Sequence, residues 1–364
     1  MSTFEEQGPT PSTNQRKRAQ NTEDDVAEVL DGCQHAAKRR ALEDGLSLSE
    51  EEEDHEPDTD HSTTFALVED DEELVLSEVH INTANGPART NGCALRRTTF
   101  SYSDPLMGGT DGDAGDVHIR HEMATPLRSV GLQVWSGALL LADFVLTNRH
   151  GIFGSDATVL ELGCGAGLVA IVCARLCRRV YATDLADLGV LELCRQNAVD
   201  NGVDVNVQVR GIDFRDSTCL SFHANNKHGS TLSEEEHLSC FEWKADDWAD
   251  IMANCKTVVA ADIIYDDSVT FAFVQRLPAV LARNRTLYLA LEKRVLFSLD
   301  DRDVAAPARD YLFKTLDALN ADRTEQDPVL PAISASRIEV KDVPQWFSYQ
   351  RTKELELWKF TMPD

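Results

Sequence analysis

Residues 159–184, VLELGCGAGLVAIVCARLCRRVYATD, run from an apolar strand through a glycine turn and an apolar helix into a second strand that ends on an aspartate. That succession of periods commits the stretch to a βαβ unit, because parallel strands need a helical crossover. Gly163, Gly165 and Gly167 remove Cβ atoms from the turn, so backbone can press against a ligand where the helix begins near Ala166. Asp184 follows Gly163 by 21 positions, near the spacing at which an acid after the second strand meets ribose hydroxyls.

The spacing is G-x-G-x-G, whereas the dinucleotide fingerprint is G-x-G-x-x-G, and Glu161 stands two residues ahead of the first glycine. A pyrophosphate laid on this turn meets like charge. A ligand carrying an ammonium and a sulfonium is attracted by the same carboxylate. S-adenosylmethionine is such a ligand, and an NAD dehydrogenase on the same architecture is disfavoured.

The first 116 residues hold 27 Asp and Glu against nine Lys and Arg, with an acidic run from Glu50 to Asp60. Such a segment buries too little apolar surface to offset its chain entropy. Residues 1–116 are therefore expected to be a disordered acidic region and 117–364 one folded domain. The net charge of −27 works against binding to a phosphate backbone, which needs clustered Lys and Arg. A basic protein partner is compatible with it.

Within the tail, Arg16-Lys17-Arg18 and Lys38-Arg39-Arg40 read equally well as an import signal or as solvated charge, and Ser49 before Glu50–Glu53 suits an acid-directed kinase. The longest apolar stretch, Ala138–Leu146, is interrupted by Asp143 and is too short for a membrane span, and the start MSTFEEQGPTPS lacks an apolar leader core. A monomer in the nucleus, the cytoplasm or both is the expectation. Nine cysteines without a C-x-x-C pair read as reduced thiols, with Cys173 and Cys177 packed in the core. His223, His228 and His237 sit in a polar stretch, and no metal site is expected.

From Val130 onward helical and strand patterns alternate, the signature of a doubly wound α/β sheet. GLQVWSGALLLADFVL reads as a helix ahead of strand Val159–Leu162. Helix Ala166–Arg178, strand Val180–Asp184, helix Ala186–Asp200 and strand Val205–Asp213 follow, with Asn201-Gly202 as a helix stop. Residues 216–256 form a polar insertion without a period. Strand Thr257–Ile264, helix Ser268–Ala282 with Pro278 as a kink or end, strand Thr286–Leu291, helix Pro307–Asn320 and strands Arg337–Val340 and Glu354–Phe360 complete seven strands. The last two lack an intervening helix, which predicts a C-terminal antiparallel hairpin on a mostly parallel, Rossmann-like sheet of the class I methyltransferase kind. Ligands of open α/β sheets lie outside the carboxyl ends of the strands, so Gly163, Asp184, Asp213 and Asp262 should converge on one edge.

At that edge Asp213-Phe214 offers a carboxylate for an adenine amino group and a ring to flank the base, although a loop cap and a core phenylalanine would look the same. Asp262-Ile263-Ile264-Tyr265 follows TVVAA, and Ala260 and Ala261 leave room beside it. A short acid and a phenol there can hold and orient an amine. Asp262 would raise the pKa of a lysine, so it is assigned to binding the amine, with Tyr265 positioning the lone pair. On that reading Asp262→Ala removes transfer and spares cofactor affinity.

The segments MATPLRSVGLQVWSGALLLADFVL, LELGCGAGL, VYATD, IDF, AADIIYDD, ALEKR and ELELWKF resemble the seven-β-strand protein lysine methyltransferases of methyltransferase family sixteen, over residues 118–364. The resemblance implies that Trp135, the Gly163-Cys164-Gly165 turn, Asp184, Phe214 and Ala261 line S-adenosylmethionine, and that Asp262 and Tyr265 form the D-x-x-Y element on the acceptor side. Phe214 replaces the tryptophan usual in the family's D-W pair, and Trp243 is a possible substitute. The implied substrate is an exposed lysine of a nuclear, nucleic-acid-binding protein. A methyltransferase acting on RNA or a small molecule, and a non-catalytic cofactor-binding scaffold, remain as alternatives.

Overall fold

A computed structural model describes residues 74–77, 79, 95–105, 114–186, 189–220, 239–294, 296–298 and 303–363. The basic clusters at 16–18 and 38–40, Ser49 with its acidic run, and His223, His228 and His237 lie outside these residues.

In chain order the elements are strands β1 (Leu74–Leu76), β2 (Arg96–Ser103), β3 (Ala114–His121) and β4 (Ala124–Pro126), then helix α1 (Ser136–Thr147). The βα repeat follows as β5 (Thr158–Leu162), α2 (Leu168–Ala174), β6 (Arg179–Asp184), α3 (Val190–Asp200), β7 (Val207–Gly211), α4 (Ala245–Asn254), β8 (Cys255–Ala261), α5 (Asp267–Leu281) and β9 (Thr286–Glu292). The chain closes with β10 (Leu296–Ser298), β11 (Asp303–Ala305), α6 (Pro307–Gln326), β12 (Ser334–Ile338) and β13 (Leu355–Thr361).

Seven strands form one sheet in the order β12-β13-β9-β8-β5-β6-β7. Pairing is parallel from β9 through β7, and β13 runs antiparallel between β9 and β12. This is the class I methyltransferase arrangement, and it contains the expected C-terminal antiparallel hairpin. Alternation along the strands builds two cores: in β9, Leu287, Leu289 and Leu291 face one, Tyr288 and Ala290 the other. Helices α1, α2 and α3 cover the first face, and α4, α5 and α6 the second. Leu287 and Leu289 are fully buried, and each contributes roughly 1.5–3 kcal/mol by leaving water.

Several elements differ from the sequence expectation. Strands β1 and β2 fall inside the segment assigned to the acidic tail, and a boundary at 116/117 would cut the β2–β3 hairpin. Side chains from far along the chain complete this hairpin. Asn197 on α3 and Asn201 at its C-cap each accept from a β3 amide and donate to a β3 carbonyl, at Arg120 and His118, so the strand edge is satisfied without a third strand. The helix expected over GLQVWSGALLLADFVL is broken. A 3-10 segment spans Leu127–Leu132, Gln133 ties its side chain to Val75 and Thr125, Trp135 is extended, and the α-helix starts at Ser136. The apolar run Leu127–Thr147 has the length and hydropathy of a membrane span, but this break and the burial of α1 make it core.

Inside the polar insertion, 221–238 lies outside the described residues, and Ala245–Asn254 forms α4. Asp247 caps it by accepting the Lys244 amide at 2.9 Å and holds Arg210 at 2.7 Å. Pro278 neither ends nor breaks α5, which runs three residues further.

Candidate active site

After β5 the chain turns through Gly163–Gly167 into α2. The three glycines have φ of +70°, +50° and +86°, the left-handed region that residues with a Cβ avoid. Neighbouring protein atoms impose the same choice. A Cβ at 163 would collide with Ile263 Cγ2, one at 165 would lie 2.9 Å from the Gly131 carbonyl oxygen, and one at 167 would lie 2.8 Å from Cys194 Sγ. The missing Cβ atoms thus let the turn seat against the fold itself, a reason beyond ligand approach.

Asp184 ends β6 and braces this turn: its Oδ2 accepts the Gly165 amide and its Oδ1 the Leu185 amide, both at 2.8 Å. All twelve residues singled out from the sequence, namely Trp135, Glu161, Gly163, Cys164, Gly165, Gly167, Asp184, Asp213, Phe214, Ala261, Asp262 and Tyr265, line one cleft at the carboxyl edge of the sheet.

Glu161 is 1% exposed, and its Oε2 has no hydrogen-bond partner. Burial first, then the neighbouring Cys194 and Asp184, push its carboxyl well above the ordinary glutamate value. A buried acid without full hydrogen bonding is costly unless a partner arrives. An orphaned carboxylate oxygen beside a glycine turn fits the cationic aminosulfonium portion of S-adenosylmethionine, so the residues present suit that cofactor.

At the end of β7, Asp213 takes Arg215 through both oxygens at 2.9 Å. Although burial works against it, these bonds hold its carboxyl below the usual value. Phe214 lies edge-on to Phe273 at 5.6 Å and still lines the cleft. Trp243 is not among the lining residues. It donates to the Gly211 carbonyl and stacks on Trp248 at 3.9 Å and on Tyr181, which excludes it as a substitute for the family's adenine-flanking tryptophan.

Asp262 is a half-buried residue with φ of +52°. Its Oδ2 accepts the Gly137 amide at 2.7 Å and its Oδ1 the Glu292 amide at 3.0 Å, so both oxygens are engaged by backbone rather than open to an amine alone. Burial lifts its carboxyl to about 6, against the pull of these amides and of Arg294. Tyr265 is 41% exposed at the mouth. The residues that sequence reasoning missed are Gly131, whose carbonyl oxygen packs against Gly165, Gly137, which makes room for Asp262, and Arg294, whose guanidinium lies 4.7 Å over the Trp135 ring. Each had a signal, Arg294 as the arginine of ALEKR and the two glycines within MATPLRSVGLQVWSGALLLADFVL.

A family model described as lysine methyltransferase matches residues 113–227. Methyltransferase-like protein 22 of Mus musculus is 35% identical over 260 residues, covering 68% of this chain and 59% of the relative. The protein of the same name from Homo sapiens is 36% identical over 258 residues, covering 67% and 57%. Protein-lysine N-methyltransferase EFM3 of Chaetomium thermophilum is 29% identical over 241 residues, covering 61% and 65%. The chain thus spans less than two thirds of the length of these relatives. The matched sequence makes the chain similar to the lysine methyltransferase family, its sheet order is that of the class I methyltransferase fold, and the residues of its cleft suit S-adenosylmethionine as cofactor.

Proposed function

We propose that the chain is a protein-lysine N-methyltransferase whose substrate is a basic, nuclear, nucleic-acid-binding protein. The observation that carries this reading is that the orphaned Glu161 carboxylate and the Asp262–Tyr265 element line the same cleft. The names of the relatives support lysine as the acceptor. The net charge of −27 favours a basic partner over direct contact with nucleic acid, and the basic clusters in the first 40 residues are compatible with a nuclear assignment.

When bound, the cofactor supplies an electrophilic methyl group on a sulfonium. Glu161 provides the negative charge for its cationic part, Asp184 an acceptor for its ribose hydroxyls, and Phe214 a ring beside its base. The cofactor would supply the methyl carbon to the lysine nitrogen and keep its sulfur as a neutral thioether, and the amine's proton would leave to water. A lysine with a pKa near 10.4 must first be neutralised, at a cost of about 4.6 kcal/mol at pH 7. The low-dielectric cleft lowers that cost by disfavouring the ammonium. Tyr265, at the mouth, orients the neutral amine through its phenol oxygen.

The test is methyl transfer from radiolabelled cofactor into a cell extract, followed by digestion and sequencing of the labelled species. Label on lysine of a basic protein is the expected result. Label confined to RNA, to small molecules or to another side chain would overturn the assignment, as would no transfer at all.

A further inference from the structure

Helix α1 opens on the cleft without a cap from its own sequence. Its cap position is Trp135, extended at φ −115° and ψ 156°, and the side chain makes no capping bond. An indole has a donor and no acceptor, so it cannot do what Ser, Thr, Asp or Asn do at the start of a helix. The acceptor comes instead from 125 residues away. Asp262 Oδ2 receives the amide of Gly137, in the first turn of α1.

The arrangement is tightly fitted. A Cβ on residue 137 would overlap Asp262 Oδ2 and lie 2.7 Å from its Cγ. Asp262 also donates its own amide to the Ala290 carbonyl at 2.9 Å and receives the Glu292 amide on Oδ1, so it is locked to β9 on one side and to α1 on the other. Its φ of +52° is one that a non-glycine residue keeps only where its surroundings enforce it.

We infer that Asp262 is a positioning residue: from just beyond the end of β8 it supplies the capping acceptor that Trp135 lacks, and by fixing the first turn of α1 it holds Trp135 as a wall of the cleft. This deepens the proposed transferase reading and rests on it. Trp135 is the residue that such a cap would control. Its Nε1 donates to the Val130 carbonyl at 2.9 Å, and Arg294, two residues beyond Glu292, covers the ring. One carboxylate therefore joins α1, β8 and β9, the three elements that bring Trp135, Ala261 and Arg294 together. Direct contact with the acceptor amine falls to Tyr265.

The two ends of the contact can be broken separately. Gly137→Ala displaces the Asp262 carboxylate without altering it, whereas Asp262→Ala removes it. In the full chain, both variants should weaken calorimetric binding of S-adenosylhomocysteine about tenfold, the equivalent of one lost cap, which replaces the expectation from sequence that Asp262→Ala spares cofactor affinity. Both should also speed amide hydrogen exchange in the first turn of α1, and the double variant should be no worse than the weaker-binding single. Asp262→Asn, which keeps one side-chain acceptor, should restore part of both losses. The inference is overturned if Gly137→Ala and Asp262→Ala bind S-adenosylhomocysteine as the parent does with unchanged exchange, or if their effects add. Should Asp262→Ala fail to fold, Gly137→Ala and Asp262→Asn decide by the same readouts. A parent chain that binds S-adenosylhomocysteine but labels no lysine would sink the transferase reading and leave the cap measurable.

Discussion

The Gly165 amide donates to Asp184 Oδ2 at 2.8 Å, so the acid assigned to the ribose also braces the glycine turn. Removing it should cost more than ribose contacts. Asp184→Ala is expected to weaken binding of S-adenosylmethionine roughly tenfold to a hundredfold, the range for charged hydrogen bonds, and Asp184→Asn less, because an amide oxygen can still accept from Gly165. Isothermal calorimetry of the two variants checks the order; equal affinity in all three proteins would contradict it.

Glu161 sets stability against function. Its folded-state pKa is raised, so the protein loses stability as pH rises past the ordinary glutamate value toward the raised one, and the penalty is absent below that window. Glu161→Gln should therefore stabilise the ligand-free chain by about 1–3 kcal/mol at pH 7 and by nothing near pH 4. The same change should weaken S-adenosylmethionine binding by about 2 kcal/mol, roughly 30-fold. Thermal denaturation at the two pH values, with calorimetry at pH 7, checks both signs.

The carboxyl of Asp262 titrates at about 6, with Arg294 and the Glu292 side chain facing it from β9 and its C-terminal extension. As pH falls through that value the charge that caps α1 is lost, so S-adenosylhomocysteine affinity should decline on the acid side of pH 6. Glu161 titrates in the same cleft, so the diagnostic is the comparison with Asp262→Asn. That variant should lack the component of the decline centred near 6.

Outside the lining of the cleft, Asp143 is fully buried in α1 and accepts from the amides of Trp346 and Phe347, the Tyr349 hydroxyl and, at 2.6 Å, Arg351. Burial pushes its carboxyl up and these bonds pull it back. Arg351→Met strands that charge and should cost about 3–5 kcal/mol in urea denaturation. The double variant Asp143→Leu with Arg351→Met should cost less than the sum of the two singles.

The βα repeat was legible because period-2 and 3.6-residue patterns are local, and so was most of the cleft, since Glu161, Gly163, Asp184, Asp213 and Asp262 lie at or just past the carboxyl ends of strands whose shared edge topology fixes. The hairpin β2–β3 was not legible. RRTTFSYS lacks a strong apolar alternation, and its partner strand's free edge is satisfied by Asn197 and Asn201, some 80 residues on. The start of α1 was misplaced for a similar reason, since its cap is Asp262 and not a neighbour in sequence. Trp243 was misassigned because its stacking on Tyr181 and Trp248 depends on α4, which the aperiodic insertion conceals.

Calorimetric titration of the full chain with S-adenosylmethionine and, separately, with NAD tests the electrostatic choice made by Glu161 most directly. Saturable binding of S-adenosylmethionine, weakened in Glu161→Gln, and no heat from NAD are the expected results. Binding of NAD, or S-adenosylmethionine affinity indifferent to Glu161→Gln, would contradict that choice.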